Sequence, residues 1–185
     1  MFDRLREDLR AHGGDWTRPG FRAIVTYRFG NWRMSIKPKL LRAPFSLLYR
    51  FMSIHCRNVY GIEIPYSCEL GRHVVIEHQG AIVIHGGAVI GDGCIIRQGV
   101  TLGNRSLDAP LDAPTLGKRV NVGAGAKLLG KITVGDDAVI GANAVVINDV
   151  PARAVVVGIP ARVVRSGDCE DPISEIEGAT LACHQ

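Results

Sequence analysis

Aromatic residues are scarce in this chain of 185 residues; Phe, Trp and Tyr together make up 6%. A core of large ring side chains is therefore not expected. Long apolar runs are missing too. The longest stretch without Asp, Glu, Lys or Arg is the 14 residues from His78 to Gly91, and it is rich in glycine. A membrane-spanning helix needs about 20 apolar residues, so none is expected. Asp3, Arg4, Arg6, Glu7 and Asp8 crowd the start, where a secretory signal would carry an apolar run. The five cysteines (Cys56, Cys68, Cys94, Cys169, Cys183) never fall as CxxC, which argues against a disulfide framework or a zinc ribbon. A reducing cytoplasm is the expected compartment. No Walker or Rossmann glycine pattern occurs, so nothing points to ATP or NAD.

Glycine, in contrast, is plentiful at 22 residues, which implies many tight turns. With 46% hydrophobic and 22% charged residues, the chain suits one packed domain with an appended segment. The net charge of +4 conceals an asymmetry. Residues 1–60 hold 12 Lys and Arg against 4 Asp and Glu, whereas the remainder holds 10 against 14. A basic front half is compatible with nucleic acid, an anionic membrane, an acidic ligand or a solvated helical surface. No nucleic-acid motif accompanies it, so no nucleic-acid partner is expected.

Three regions separate by pattern. In residues 1–60, Phe2–His12 carries Leu5 and Leu9 at helical spacing. Phe21–Trp32 sets Ile24, Val25, Phe29 and Trp32 on one face. Pro38 opens a third helical stretch with Leu41, Phe45, Leu48 and Met52 on one stripe, and Pro44 is expected to break or restart it.

From Gly61 to about Val150 an aliphatic residue recurs every six positions. The anchors are Leu70 and Ile76; then Ile84, Ile90, Ile96 and Leu102; then Leu116, Val122, Leu128, Val134, Ile140 and Val146. Glycine follows most of them directly, and a small or aliphatic residue stands four places later. A six-residue beat fits neither a helix nor simple alternation. It fits a short strand plus a turn, three of which make a triangular coil of a parallel β-helix. The glycines are then expected at corners that need unusual dihedrals. The beat breaks twice, by a two-residue excess around His78 and an eight-residue excess in the loop Asn104–Thr115. Loops on a rigid scaffold are where function concentrates. After Pro151, short strands at Ala154–Val157 and Val163–Val164 flank Gly158-Ile159-Pro160-Ala161, and an acidic tail follows from Ser166.

The repeat resembles that of the hexapeptide-repeat acyltransferases, and within them the serine acetyltransferases. The matching stretches are Gly61-Ile62-Glu63-Ile64-Pro65, Ile76-Glu77-His78-Gln79-Gly80, Gln98-Gly99-Val100-Thr101-Leu102-Gly103, Gly123 to Gly130, and Gly158 to Arg162. The short basic front segment is similar to that of acetyltransferases from capsule, colanic-acid and other exopolysaccharide clusters. The resemblance implies a mainly β protein, a left-handed parallel β-helix with a short N-terminal α-helical segment. The expected division is a helical segment 1–60, an acetyltransferase domain 61–165 and a flexible acidic tail 166–185.

It also implies acetyl-CoA as co-substrate, no metal, and a homotrimer with sites between subunits. His78 matches the catalytic histidine, as a base for a hydroxyl nucleophile. Glu63, 15 residues earlier, matches its orienting carboxylate, with glutamate in place of the family's aspartate; the competing reading is a solvated glutamate. Glu77 matches an acidic residue that helps hold an amino-acid acceptor. Asp112 and Ala113 stand where the serine enzymes carry arginine and histidine, and an aspartate there repels an acceptor carboxylate. Asn104, Ala124 and Ala142 match positions along the pantetheine arm, with Lys127 and Arg162 as candidates for the nucleotide phosphates. His73, His78 and His85 lack the spacing of a zinc-binding trio.

The expected function is acetyl transfer to a hydroxyl, favoured in a sugar of exopolysaccharide or capsule synthesis. The rivals are an L-serine acetyltransferase and a non-catalytic scaffold. The basic helices are expected to pack on the end of the trimer. Arg22, Arg28, Arg33, Lys37, Lys39, Arg42 and Arg50, with Phe21, Trp32, Phe45 and Phe51, also suit peripheral contact at the inner face of a membrane.

Overall fold

A computed structural model describes residues 2–166 of the chain. The tail expectations, with Cys169, Cys183 and His184, lie outside the described residues. Three helices come first: α1 (Phe2–Ala11), α2 (Pro19–Met34) and α3 (Lys39–His55). In α1, Asp3 in the first turn and Arg10 in the last complement the helix dipole. In α2, Pro19 takes the first turn, where its missing N–H costs nothing. A single π-helical turn, Cys56–Tyr60, leads through Gly61, whose φ of 64° reverses the chain into the first strand.

Contrary to expectation, α3 runs unbroken through Pro44. The carbonyl that loses its donor is that of Leu40, in a residue 88% exposed, so water can satisfy it.

Fifteen short strands follow. Coil one holds β1 (Ile62–Glu63), β2 (Glu69–Leu70) and β3 (Val75–Ile76), and coil two β4 (Ile82–Ile84), β5 (Val89–Ile90) and β6 (Ile95–Ile96). Coil three holds β7 (Thr101–Gly103), β8 (Thr115–Leu116) and β9 (Asn121–Val122), and coil four β10 (Lys127–Leu129), β11 (Thr133–Val134) and β12 (Val139–Ile140). Coil five has β13 (Val145–Val146) and β14 (Val155–Val157), and β15 (Arg162–Arg165) closes the chain's described part. They assemble into three sheets, the faces of a triangular prism. Face A is β1-β4-β7-β10-β13, face B β2-β5-β8-β11, and face C β3-β6-β9-β12-β14-β15. All pairings are parallel except β14 with β15.

The register carries both breaks in the beat. Val83 pairs with Thr101, an ordinary step, but Ile62 pairs with Ile82 and Thr101 with Lys127, which absorb the two extra and eight extra residues. A shorter step, Val139 to Val155, brings β14 into the prism, so the coil continues past the expected end near Val150.

The anchors point inward and stack. Ile90, Ile96, Leu102, Leu116, Val122, Leu128, Val134 and Ile140 are buried, and Ala88, Cys94, Val100, Val120, Ala126, Ala138 and Ala144 fill the corners between them. Truncating one such anchor to alanine costs about 2–5 kcal/mol.

The repeat glycines do not serve as expected. Gly71 and Gly123 lie outside the left-handed region; instead a Cβ on Gly71 would sit 2.7 Å from the Asp92 nitrogen, and one on Gly123 2.6 Å from the Ala142 nitrogen. Glycine is there because the next coil passes too close. The positive φ falls three residues after seven of the twelve anchors, on Gly93, Gly99 and Gly125, but also on His73, Arg119, Asp137 and Asn143.

The first coil has no preceding coil to pair with, and α1 and α2 supply side chains instead. The Tyr27 hydroxyl donates to the Cys68 carbonyl (2.9 Å) and accepts from the Leu70 N–H (3.0 Å). Arg28 donates to the carbonyls of Leu70 (3.0 Å) and Gly71 (2.6 Å) while paired with buried Asp8 (3.0 Å). His12 accepts from the Ile76 N–H at 3.2 Å and donates from Nδ1 to the Asp8 carbonyl at 2.7 Å. Between α2 and α3, the Arg33 guanidinium lies between the rings of Tyr49 and Tyr66, 4.4 and 4.5 Å from their centroids.

Candidate active site

The two-residue excess in coil one lies where face C turns into face A. There His78 takes a φ of 65° and Ala81 one of 52°, conformations that side chains seldom adopt. Such strain persists only where surrounding contacts enforce it. Here Gly80 donates its N–H to the Tyr60 carbonyl, and the Ile82 N–H binds the Gly61 carbonyl. The result projects His78 into a cavity of about 540 Å³, lined by Arg18, Pro19, Gly20, Ile76, Glu77 and Gln79. The N-terminal turn of α2 forms the opposite wall. Gly20 packs so tightly on the Ile76 carbonyl that a Cβ would overlap it.

Below His78 the same C-to-A edge continues through every coil. Gly99 donates to the Gly80 carbonyl, Gly125 to that of Gln98, and Asn143 to that of Ala124, each at 2.8 Å. Ala124 and Ala142 occupy this edge, and the Ala161 N–H reaches the Val145 carbonyl near its foot, next to Arg162. With strands about 4.8 Å apart, four steps give an edge roughly 19 Å long. His78, Ala124, Ala142 and Arg162 are therefore brought into one column. Its small side chains would let a long thin ligand approach the backbone.

Other expected site residues lie elsewhere. Asn104 and Asp112 belong to the long loop between β7 and β8, which is the A-to-B edge. Asn104 is used locally, its Nδ2 donating to the Ser106 carbonyl at 2.8 Å. Ala113 is buried in the core, so it does not offer a side chain to a ligand. His85 stands at this same edge, half-buried, its Nδ1 accepting from the Gly87 N–H at 3.1 Å. The three histidines His73, His78 and His85 occupy three different edges and do not converge. Glu63 sits exposed on face A beside Val83. Among the described residues no hydrogen bond joins it to His78. The Lys127 ammonium is already held by the Gly99 carbonyl and the Thr101 hydroxyl, so it meets the prism before any phosphate.

Glu77 has an unexpected partner. Arg97 lies at the equivalent place one coil on, its Nε 2.9 Å from the Glu77 carboxylate, and it also donates to the Asn121 side chain. Arg18 and Arg97 are the site cations that the sequence reading missed. Among the described residues, burial pushes the Cys68 thiol up to about 12 and that of Cys94 up to about 11, well above neutral pH, so neither is a ready nucleophile.

Fold and repeat place the chain among the hexapeptide-repeat proteins. The family described as "Bacterial transferase hexapeptide (six repeats)" matches residues 113–148. A serine acetyltransferase of Synechococcus elongatus is 42% identical over 156 residues, covering 84% of this chain and 61% of that protein. WcaB of Escherichia coli K12, named for colanic acid biosynthesis as an acetyltransferase, is 38% identical over 164 residues, 86% of this chain and 98% of WcaB. The crystal structure of serine acetyltransferase from Brucella abortus with coenzyme A superposes with a TM-score of 0.75 at 28% identity, over 90% of this chain and 68% of that one. The chain belongs to the hexapeptide-repeat acetyltransferase family that includes the serine acetyltransferases and WcaB. Its prism is the left-handed β-helix that the resemblance implies. The chain spans about 61% of the length of the Synechococcus relative.

Proposed function

We propose that the chain is an acetyl-CoA-dependent O-acetyltransferase with His78 as its general base. The observation that carries this is the placement of His78 at the head of the C-to-A column, in a cavity open to an acceptor. His78 would remove the proton from an acceptor hydroxyl. The oxygen would then attack the thioester carbonyl, the carbon–sulfur bond would break, and the departing thiolate would take the proton from His78. Coenzyme A in the Brucella relative supports the donor.

A closed homotrimer completes the site in this reading. Loop 104–114 and His78 stand on different edges of one prism, and a three-fold axis would bring one subunit's loop to its neighbour's column. The helical segment 1–60 caps each prism 61–165 and turns toward the inner face of the membrane.

For the acceptor, the names of the relatives weigh toward L-serine, since most are serine acetyltransferases. A saccharide hydroxyl is the second reading, and this chain's own residues favour it. Asp112 would repel a carboxylate, Glu77 is already neutralised by Arg97, and WcaB matches over 98% of its length. The deciding experiment follows free thiol release from acetyl-CoA with L-serine and with saccharide acceptors in parallel. Release stimulated by one class identifies it. No acceptor-dependent release with either class would overturn the acetyltransferase reading.

A further inference from the structure

We propose that the outer face of α3 is a docking surface for an anionic lipid bilayer. This deepens the membrane part of the reading above and rests on it, but not on the acyl-transfer chemistry. Helix α3 is apolar on two sides. One side serves the fold: Phe45 meets Phe29 and Trp32, and Tyr49 meets Tyr66. The other side serves nothing in the described chain. Leu40, Leu47 and Ile54 repeat every seven residues, with Pro44, Leu48 and Phe51 beside them; Leu47 and Phe51 are 71% and 70% exposed. From Leu40 to Ile54 this seam is roughly 21 Å long. Its C-terminal part opens into a shallow cavity of about 510 Å³ lined by Pro44, Leu47, Leu48, Phe51 and Ile54 together with Arg50.

The charges around the seam select the occupant. No Asp or Glu occurs between residues 16 and 62. Arg28 and Arg33 are buried in the fold, as is Phe21, so these drop out of the surface expected from the sequence. Lys37, Lys39, Arg42, Arg50 and Arg57 remain on or beside α3, and none is ion-paired among the described residues. A second α3 laid on this seam would bring the same cations and no acid. Like charges would then face each other around an apolar contact. An apolar face rimmed only by Lys and Arg suits the headgroup boundary of an anionic leaflet, where the side chains enter the acyl region and the cations meet phosphates.

The test is co-sedimentation of the full chain with phosphatidylcholine vesicles, with and without phosphatidylglycerol, at low and high salt. Partitioning is expected only with phosphatidylglycerol, and high salt should weaken it. Leu47→Glu with Phe51→Glu should reduce it at least tenfold while leaving the melting temperature and thiol release in solution unchanged. Lys39→Gln should reduce it by roughly fivefold, the factor for one basic residue at such a surface. Partitioning that ignores phosphatidylglycerol, or persists in the double variant, would overturn the proposal. So would a double variant that instead lowers the oligomer's mass in light scattering, since the seam would then be an interface between copies. Failure of the acetyltransferase reading would show as absent thiol release and leave these binding results intact.

Discussion

At the N-terminal end of the prism, the unpaired backbone groups of coil one are met by Tyr27, Arg28 and His12. At the C-terminal end, β14 is met by backbone alone, through the antiparallel strand β15. Both arrangements answer the same requirement, that buried N–H and C=O groups find partners. They differ in what they ask of the sequence. A backbone strand can be built from many residues. A side-chain cap depends on a few polar groups that reach specific atoms and are themselves buried, so each is costly to lose.

The largest effect expected from breaking this contrast is at Arg28. Replacing it with alanine strands the buried Asp8 carboxylate and frees the carbonyls of Leu70 and Gly71. Loss of one partner of a buried pair costs about 3–5 kcal/mol. Urea unfolding should show that loss, whereas Val163→Ala in β15, an exposed strand residue, should cost less than about 1 kcal/mol. Equal costs at the two ends would show that α1 and α2 do not cap the prism.

The C-to-A edge is the next test. His78→Ala should slow acetyl transfer by about a hundredfold or more, some 2.7 kcal/mol in the barrier. The ring is exposed, and alanine keeps the Cβ that a φ of 65° strains, so stability should change by less than about 1 kcal/mol. Near-normal turnover would remove His78 from the chemistry.

His12 links the cap to this site, since the N–H it accepts belongs to Ile76, two residues before His78. Burial holds its pKa below the ordinary histidine value, despite the nearby Asp8. Protonation would turn the accepting nitrogen into a donor facing the Ile76 N–H. The native state therefore binds this proton less readily than the unfolded chain. The stability that follows is complete above the unfolded value, about 6.5, and is lost as pH falls toward the depressed one. Melting temperature should decline below that pH, and His12→Gln should flatten the decline. An unchanged profile in the variant would assign the acid sensitivity elsewhere.

The coil was legible in the sequence because its rule is local: one aliphatic residue every six, glycine next, a small residue four later. The cap was not, because Arg28 meets Leu70 across 42 residues, and no periodicity encodes such a reach. Pro44 misled for a related reason; what it costs depends on whether the Leu40 carbonyl faces water. The column under His78 was half legible. Ala124 and Ala142 came from the resemblance, yet their alignment with His78 depends on counting both excess segments into the register. Arg97 was findable. It follows Glu77 by the same step that pairs Val75 with Ile95, so opposite charges one coil apart signalled the ion pair.

Asp112 gives the smallest and most discriminating effect. It is half-exposed on the A-to-B edge, and its backbone N–H donates to the Ala109 carbonyl at 3.2 Å. Its side chain is therefore free to change without disturbing the loop. Ala113 is not, because it is buried against Gly87, and a histidine there would overpack the corner. The single change Asp112→Arg reverses one charge where the trimer reading brings the loop beside a neighbour's column. A carboxylate acceptor would then gain an attraction and lose a repulsion, together about 1 kcal/mol at a solvent-exposed site. The KM for L-serine should fall severalfold, while the KM for acetyl-CoA and the melting temperature stay put. A neutral saccharide acceptor should gain nothing from the same change. If the KM for L-serine is indifferent to the charge at residue 112, the loop does not reach the acceptor, and the site is complete within one prism.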